Sequence, residues 1–455
     1  MSSNLSAGIF VRELGYGERL QVLMDRHRPT HTVAAVDVLG KTDPEQWRKA
    51  LYKLQQRHPL LSVRIQFGPQ NILAFYHVEG AAIPLRIISG TASWQREVEQ
   101  ELALAFNTAE APLIRVTLLH ESEKAVLILS VHHAIVDGLA IQYLFRDLLM
   151  ALGDEVLDSL PVPPSIETLL SGLPTSNTVH NQPELSRRKP ATYVSKQAKP
   201  HLSYLRLNKS LTEALRERAR QEKSTVHSAL CAAVGMWIRE YSPKRKDEPI
   251  RIGFPASARQ RLRAGEACVL CIMGGSMTFP LDSSWNFWEM ARFAKEATPR
   301  LSLNKIRATV DGWEKLLQRK PDPLRYWRLA RRTREKSRAT QMLGMVRATM
   351  ESWRPSIERN PDVATIACAM TNVFGHDAMV STLGETPYDT NFRGGLRLET
   401  IWPAGSPLGL ETPMIFSTLT NDRLCLTISS YEPRPAMLSG MHDLLEQACM
   451  VDSSQ

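Results

Sequence analysis

The side chains best suited to chemistry gather in residues 125–149, which read AVLILSVHHAIVDGLAIQYLFRDLL. Two adjacent histidines, His132 and His133, are followed by Asp137 and Gly138. An imidazole with an ordinary pKa near 6.5 can accept and return a proton close to neutral pH, as a general base that activates a hydroxyl or an amine must do. With 12 histidines in 455 residues, an adjacent pair arises by chance roughly 0.29 times per chain. Requiring an acid four residues after the second histidine, and then glycine, lowers the expectation to roughly 0.0016. The pair alone means nothing; the full pattern is informative.

The elements around the pattern would position it. Residues 125–131 are apolar on both faces, as in a strand covered on both sides, and they end in the two histidines. Successive strand side chains point to opposite faces, so only one of His132 and His133 can face a shared cavity while the other turns into structure. Residues 139–152 read as the helix that follows. Gly138 allows close backbone approach and opens that helix, whose N–H groups would favour developing negative charge. A metal site from His132, His133 and Asp137 is disfavoured by the opposed rings and by the lack of another ligand cluster nearby.

Further out, the first 150 or so residues mix helix and strand. Helices are expected over 18–27, 44–57 and 94–106, and strands over 30–39, 60–66, 72–78, 84–88 and 112–119. Asp43-Pro44 has the form of an N-cap followed by proline at the first helical position, and Trp47, Leu51 and Leu54 recur at helical spacing. Regular patterning dissolves between about 153 and 201 into a proline-rich and then polar stretch, which reads as a linker or crossover. Beyond it a second mixed domain is expected. Its strands lie at 203–207, 250–255, 276–281, 363–369, 395–402, 413–420 and 423–431, and its helices at 211–221, 226–241 (with Thr225 as N-cap) and 437–449. The division is 1–155, 156–202 and 203–455, and the class is α+β with antiparallel neighbours where connections are short.

Composition narrows the function classes. The chain is 43% hydrophobic and 23% charged, with 56 Lys and Arg against 47 Asp and Glu, a net charge of +9. That bias permits an anionic cofactor or an acidic carrier, but it is too dilute for a nucleic-acid stripe. No stretch has the roughly 20 apolar residues of a membrane span, and the N-terminus lacks a signal-like apolar core, so a cytoplasmic protein is expected. Six dilute cysteines fit a reducing compartment, and Cys268-Val-Leu-Cys271 lies in an apolar run that reads as buried core. No GxSxG elbow, GxGxxG loop or GxxxxGK[ST] cradle occurs, so serine-hydrolase and nucleotide-binding readings lose their support. The basic run 325–338 places Arg325, Arg328, Arg332 and Lys336 on one helical face, a solvated surface or a docking site for a coenzyme A phosphate or acidic carrier.

The stretch HHAIVDG, residues 132–138, resembles the HHxxxDG signature of the chloramphenicol-acetyltransferase-like superfamily of acyltransferases. That group includes nonribosomal peptide condensation domains, polyketide-associated acyltransferases and the BAHD plant enzymes. FPASARQRLR at 254–263 is similar to the second lobe's strand and Arg-rich loop, TVHSALCAAVGMWI at 225–238 to its buried helix, and Thr371-Asn372-Val373 to a Ser/Thr-Asn turn. The DFGWG motif of the BAHD enzymes is absent, which points to the condensation-like branch.

The resemblance implies two chloramphenicol-acetyltransferase-like lobes, each a mixed sheet flanked by helices, with a channel between them. It implies His133 as general base for direct acyl transfer, His132 in a structural role, and Thr371 and Asn372 beside the channel. The matching aspartate of the family pairs with an arginine, for which Arg12, Arg19 and Arg259 are the candidates opposite Asp137. The co-substrate would be acyl-CoA or a phosphopantetheinyl carrier thioester, with no permanently bound cofactor. The acceptor would be the hydroxyl of a secondary metabolite, an amine being less favoured. A stand-alone chain favours a tailoring transferase; a trans-acting condensation enzyme and a non-catalytic binding protein on the same fold are the alternatives, and two self-contained lobes are compatible with a monomer.

Overall fold

The computed structural model describes residues 8–89, 92–174, 198–241, 248–280, 285–298, 301–318, 376–407, 409 and 411–450. In chain order the first half runs β1 (Ile9–Glu13), α1 (Tyr16–His27), β2 (Thr32–Leu39), α2 (Pro44–Arg57), β3 (Val63–Phe67), β4 (Leu73–His77), β5 (Leu85–Ser89), α3 (Trp94–Ala103), β6 (Ile114–His120), β7 (Lys124–Val131), α4 (Gly138–Leu152) and α5 (Ile166–Ser171). The second runs β8 (His201–Arg206), α6 (Lys209–Gln221), α7 (Val226–Tyr241), β9 (Ile250–Ser257), α8 (Arg259–Leu262), β10 (Ile272–Phe279), α9 (Phe287–Ala297) and α10 (Leu303–Gln318). It ends with β11 (Ala378–Glu385), β12 (Asn391–Phe392), β13 (Leu396–Gly405), β14 (Met414–Thr420), β15 (Arg423–Ser430) and α11 (Pro435–Cys449). No helix among the described residues is long and apolar enough to cross a membrane.

Two six-stranded mixed sheets carry the two lobes, ordered β12-β13-β2-β7-β6-β5 and β10-β9-β11-β14-β15-β8; a third sheet, β1-β4-β3, flanks the first. Strand β7 is covered on both faces, as its apolar run requires. Leu127, Leu129 and Val131 pack with Leu54 of α2 and Leu144 and Leu148 of α4, while Ile128 on the opposite face joins Val98 and Leu102 of α3 and Leu202 of β8. The second sheet buries Ile252, Val380, Ile415 and Leu426 against Leu230 and Val234 of α7, Met290 of α9 and Met441 of α11.

Local signals set most boundaries. The Asp43 side chain accepts from the backbone N–H groups of Glu45 and Gln46 at 2.8 and 3.0 Å, and Gln46 accepts from Asp43 N, a complete capping box at the start of α2. Thr225 accepts from Ser228 N at 3.1 Å and so caps α7.

Elsewhere the structure differs from the pattern. The strand expected over 60–66 starts as a 3-10 turn, Pro59–Ser62, because Pro59 fixes φ in a helical range before the chain extends at Val63. The helix expected to reach 106 stops at Ala103, where Arg115 takes the carbonyls of Glu101 and Leu104. Strand β10 starts at Ile272, four residues ahead of the expected 276, and runs through Gly274 and Gly275. A Cβ on Gly275 would come within 2.3 Å of the Phe254 ring on β9, so the strand needs glycine there. The 156–202 crossover contains α5, capped by Ser165, whose Ile166 and Leu170 pack against Leu262 and Val269.

The largest departure concerns residues 391–405. Sequence pattern places them in the second lobe, yet β13 pairs antiparallel with β2 along the first sheet, from Arg397↔Leu39 to Gly405↔Thr32. Alternation of side chains identifies a strand but not the sheet it joins. The expected strand at 363–369, the basic run 325–338, Thr371 and Asn372 lie outside the described residues.

Candidate active site

Strand β7 ends at Val131, and the backbone N–H of His132 still bonds Leu113 O at 3.0 Å, which extends the pairing with the β6 side of the sheet by one residue. The two imidazoles then part, as strand alternation requires. His132 is fully buried, and its Nδ1 accepts the backbone N–H of Ala134 at 3.1 Å. An acceptor nitrogen carries no proton, so its hydrogen sits on Nε2, which faces Asp25 Oδ2 at 3.7 Å. Burial raises the Asp25 carboxyl, but the His132 ring and the Thr30 N–H outweigh it and hold the group below its ordinary value. Phe106 meets the edge of His132 at 6.0 Å between ring centroids. His132 belongs to the packing beneath the site.

His133 has the opposite tautomer. Its Nδ1 lies 2.7 Å from Val136 O, and a carbonyl can only accept, so the proton is on Nδ1 and the lone pair on Nε2. Among the described residues Nε2 has no hydrogen-bond partner, and the ring is half-buried rather than sealed. Burial lowers the pKa below 6.5, against the raising effects of the Val136 carbonyl and the Asp137 charge, so the ring is neutral at neutral pH. One nitrogen is held by the Val136 carbonyl, and the other carries a lone pair.

Asp137 holds the loop. Its Oδ1 accepts Ala140 N at 2.8 Å and caps α4, and Oδ2 accepts Cys271 N at 3.1 Å from the second lobe. Arg259 Nε lies 3.1 and 2.9 Å from the two oxygens, and both residues are buried. Of the three candidate arginines, Arg259 makes the pair. Arg12 is instead spent on Glu18 at 2.7 Å and on the Pro163 carbonyl, and Arg19 supplies its backbone N–H to the first turn of α1. Arg259 also donates to Gly265 O, Ala267 O and Val269 O. The Asp137 carboxylate already meets the N-terminal end of α4.

Gly138 permits a close approach, and the approaching group is Leu383 of β11: a Cβ at 138 would lie 2.5 Å from its Cδ2. Nothing in the order of residues points to Leu383 or to Asp25, because each reaches the motif only through the folded chain.

A second network ties the same segment of the second lobe to α4. Asp147 accepts from Arg57 Nε at 2.6 Å, His58 Nε2 at 2.8 Å and Arg146 at 2.7 Å, and Arg146 clasps Glu266. The other nitrogen of His58 lies 3.5 Å from Cys268 Sγ. Cys268 and Cys271 are both buried free thiols, as the apolar run predicts, and burial pushes Cys271 up to about 12.

The Condensation domain family model matches residues 20–160, the segment from α1 through the histidine motif to just past α4. A linear gramicidin synthase of Brevibacillus parabrevis is 24% identical over 282 residues, covering 54% of this chain and 5% of that protein, so the chain spans a small part of its relative. Among solved structures, the TRI3 trichothecene 15-O-acetyltransferase from Fusarium sporotrichioides superposes with a TM-score of 0.64 at 12% identity, covering 97% of this chain and 95% of that one. The first condensation domain of the CDA synthetase gives 0.63 at 13% identity, covering 96% of each. The chain is thus similar to condensation domains over its histidine-bearing segment, and its two-lobed fold is the one those condensation-domain and acetyltransferase structures share.

Proposed function

We propose that the protein transfers an acyl group from a thioester, on coenzyme A or on a phosphopantetheinyl carrier protein, to the hydroxyl of a secondary metabolite. The observation that carries this reading is the His133 tautomer, with Nδ1–H fixed on the Val136 carbonyl and the Nε2 lone pair left without a protein partner among the described residues. The acceptor O–H gives its proton to Nε2 as the oxygen attacks the thioester carbonyl. When the tetrahedral intermediate collapses the C–S bond breaks, and the proton on Nε2 passes to the departing thiolate. No acyl-enzyme is required. Asp137, beside the ring, favours the transient imidazolium.

The O-acetyltransferase among the structural neighbours supports an alcohol acceptor, and the peptide-synthetase relative supports a carrier-bound donor. That relative also favours a second reading, a peptide-type condensation enzyme, in which the same nitrogen takes the proton of an amine.

The test incubates the protein with acetyl-CoA and, separately, with an acetyl-loaded carrier protein, against panels of alcohols and amines. Free thiol and product mass are read together. Ester formation lost in His133→Ala is expected. Amide as the sole product would replace the first reading by the second, and intact thioester with both donors would overturn both.

A further inference from the structure

A cavity of about 550 Å³ opens at the end of the first sheet opposite the histidine motif. Lys124, which lines it, begins β7, and His133 lies just past the other end, roughly 30 Å away at about 3.3 Å per residue. The cavity lies where β2, β7 and β13 of the first sheet meet α3 and β8, and its lining differs in kind from the apolar core around it.

One wall is aromatic. Trp94 stacks on Trp402 with centroids 5.3 Å apart and planes at 22°, and Tyr204, 45% exposed, stands edge-on to Trp402 at 5.4 Å. Beside this wall is Asp37. Its Oδ2 accepts the Trp402 indole N–H at 2.9 Å, and it closes no ion pair among the described residues although Lys124 and Arg206 share the cavity. Burial pushes the Asp37 carboxyl up, against the pull of Trp402, Lys124 and Arg206. A carboxylate that accepts a single hydrogen bond keeps most of its acceptor sites unfilled, and one half out of water gains more from a cation than an exposed one does. Glu399 at the edge is already engaged by Arg397 at 2.5 Å.

These groups select a ligand class. A simple anion could meet Lys124 or Arg206 but would leave Asp37 and the indole wall unused, and a hydrocarbon would leave Asp37 with the Trp402 N–H alone. A ring carrying an ammonium group meets both the indole wall and the carboxylate, with a cation–π contribution from the same rings. We propose that this cavity is a second binding site, for an aromatic amine whose ammonium group sits on Asp37 and whose ring lies against Trp94 and Trp402. A free aromatic amino acid and its decarboxylated amine share that chemistry. They differ in the carboxylate, for which Lys124 and Arg206 are the partners.

The experiment is calorimetric titration of the full chain with L-phenylalanine and with phenethylamine. One-site binding is expected, weakened at least about tenfold by Asp37→Asn, which keeps an oxygen for the Trp402 N–H, and likewise by Trp94→Leu. His133→Ala should bind unchanged. Joint replacement of Lys124 and Arg206 by alanine should weaken phenylalanine alone if the natural ligand is the amino acid, and neither probe if it is the amine. Absence of heat with both probes up to about 10 mM would overturn the proposal. So would unaltered binding by Asp37→Asn and Trp94→Leu proteins of native thermal stability, or loss of binding in His133→Ala, which would move the ligand to the motif.

Discussion

Asp137 and Arg259 meet across the lobe boundary with Nε 2.9 Å from Oδ2, and each is also bonded to the segment between Gly265 and Cys271. The histidine loop and that segment are therefore braced as a unit. Removing one member of such a buried pair strands the other charge, at about 3–5 kcal/mol. Arg259→Ala should lose that much in chemical denaturation, and Arg259→Lys should recover little, since an ammonium cannot reproduce the fork that also holds three carbonyls. A loss under about 1 kcal/mol would place the pair among the weak surface bridges.

If His133 is the base proposed above, the working form is the neutral ring; burial holds its pKa below 6.5, so kcat/KM should rise with pH through a midpoint under 6.5 and stay level above it. His133→Ala should reduce turnover by about 10²–10⁴. Survival of the same limb in His133→Gln would assign it to another group.

The contact between Gly138 and Leu383 predicts a compensating pair of substitutions. Gly138→Ala drives a methyl into Leu383 and should cost about 1–3 kcal/mol by overpacking. Leu383→Ala added to it should restore part of that loss, and a double-mutant cycle by urea unfolding measures the coupling. Additive effects would mean that the two positions do not touch.

His58 sets a limit on alkaline stability. Burial opposes its charge, but Cys268 and Asp147 beside it prevail and raise it to about 9. Because the folded pKa lies above the ordinary 6.5, the stabilisation is complete below 6.5 and disappears as pH climbs through about 9. The urea midpoint should fall across that window, and His58→Ala should flatten the fall.

The sequence carries the elements whose signals are local. The Asp43 capping box, the apolar run before His132 and the buried face of 226–241 each fix a boundary within about two residues, because cap and periodicity act over one or two turns. Helix α5 leaves no such mark, since six residues hold too little periodicity to register within a proline-rich stretch. The asymmetry of His132 and His133 is legible from strand alternation alone, whereas their tautomers depend on the Ala134 N–H and the Val136 carbonyl, which only the turn geometry supplies. Three arginines are open as partners of Asp137 in the sequence, and folding decides among them by spending Arg12 on Glu18. Asp25 and Leu383 come from remote strands and helices, and spacing along the chain says nothing about such meetings.

Strand β13 returns from the far half of the chain to lie along all eight residues of β2. Cutting the polypeptide in the crossover would therefore not release two smaller folded units. The leading fragment would bare a valine- and alanine-rich row of unpaired amides and carbonyls, a template for sticking to its own copies. The trailing fragment would carry an orphan ribbon with nothing to zip onto. The molecule is a clasp rather than a pair of beads, and its halves should recover their shape only when mixed.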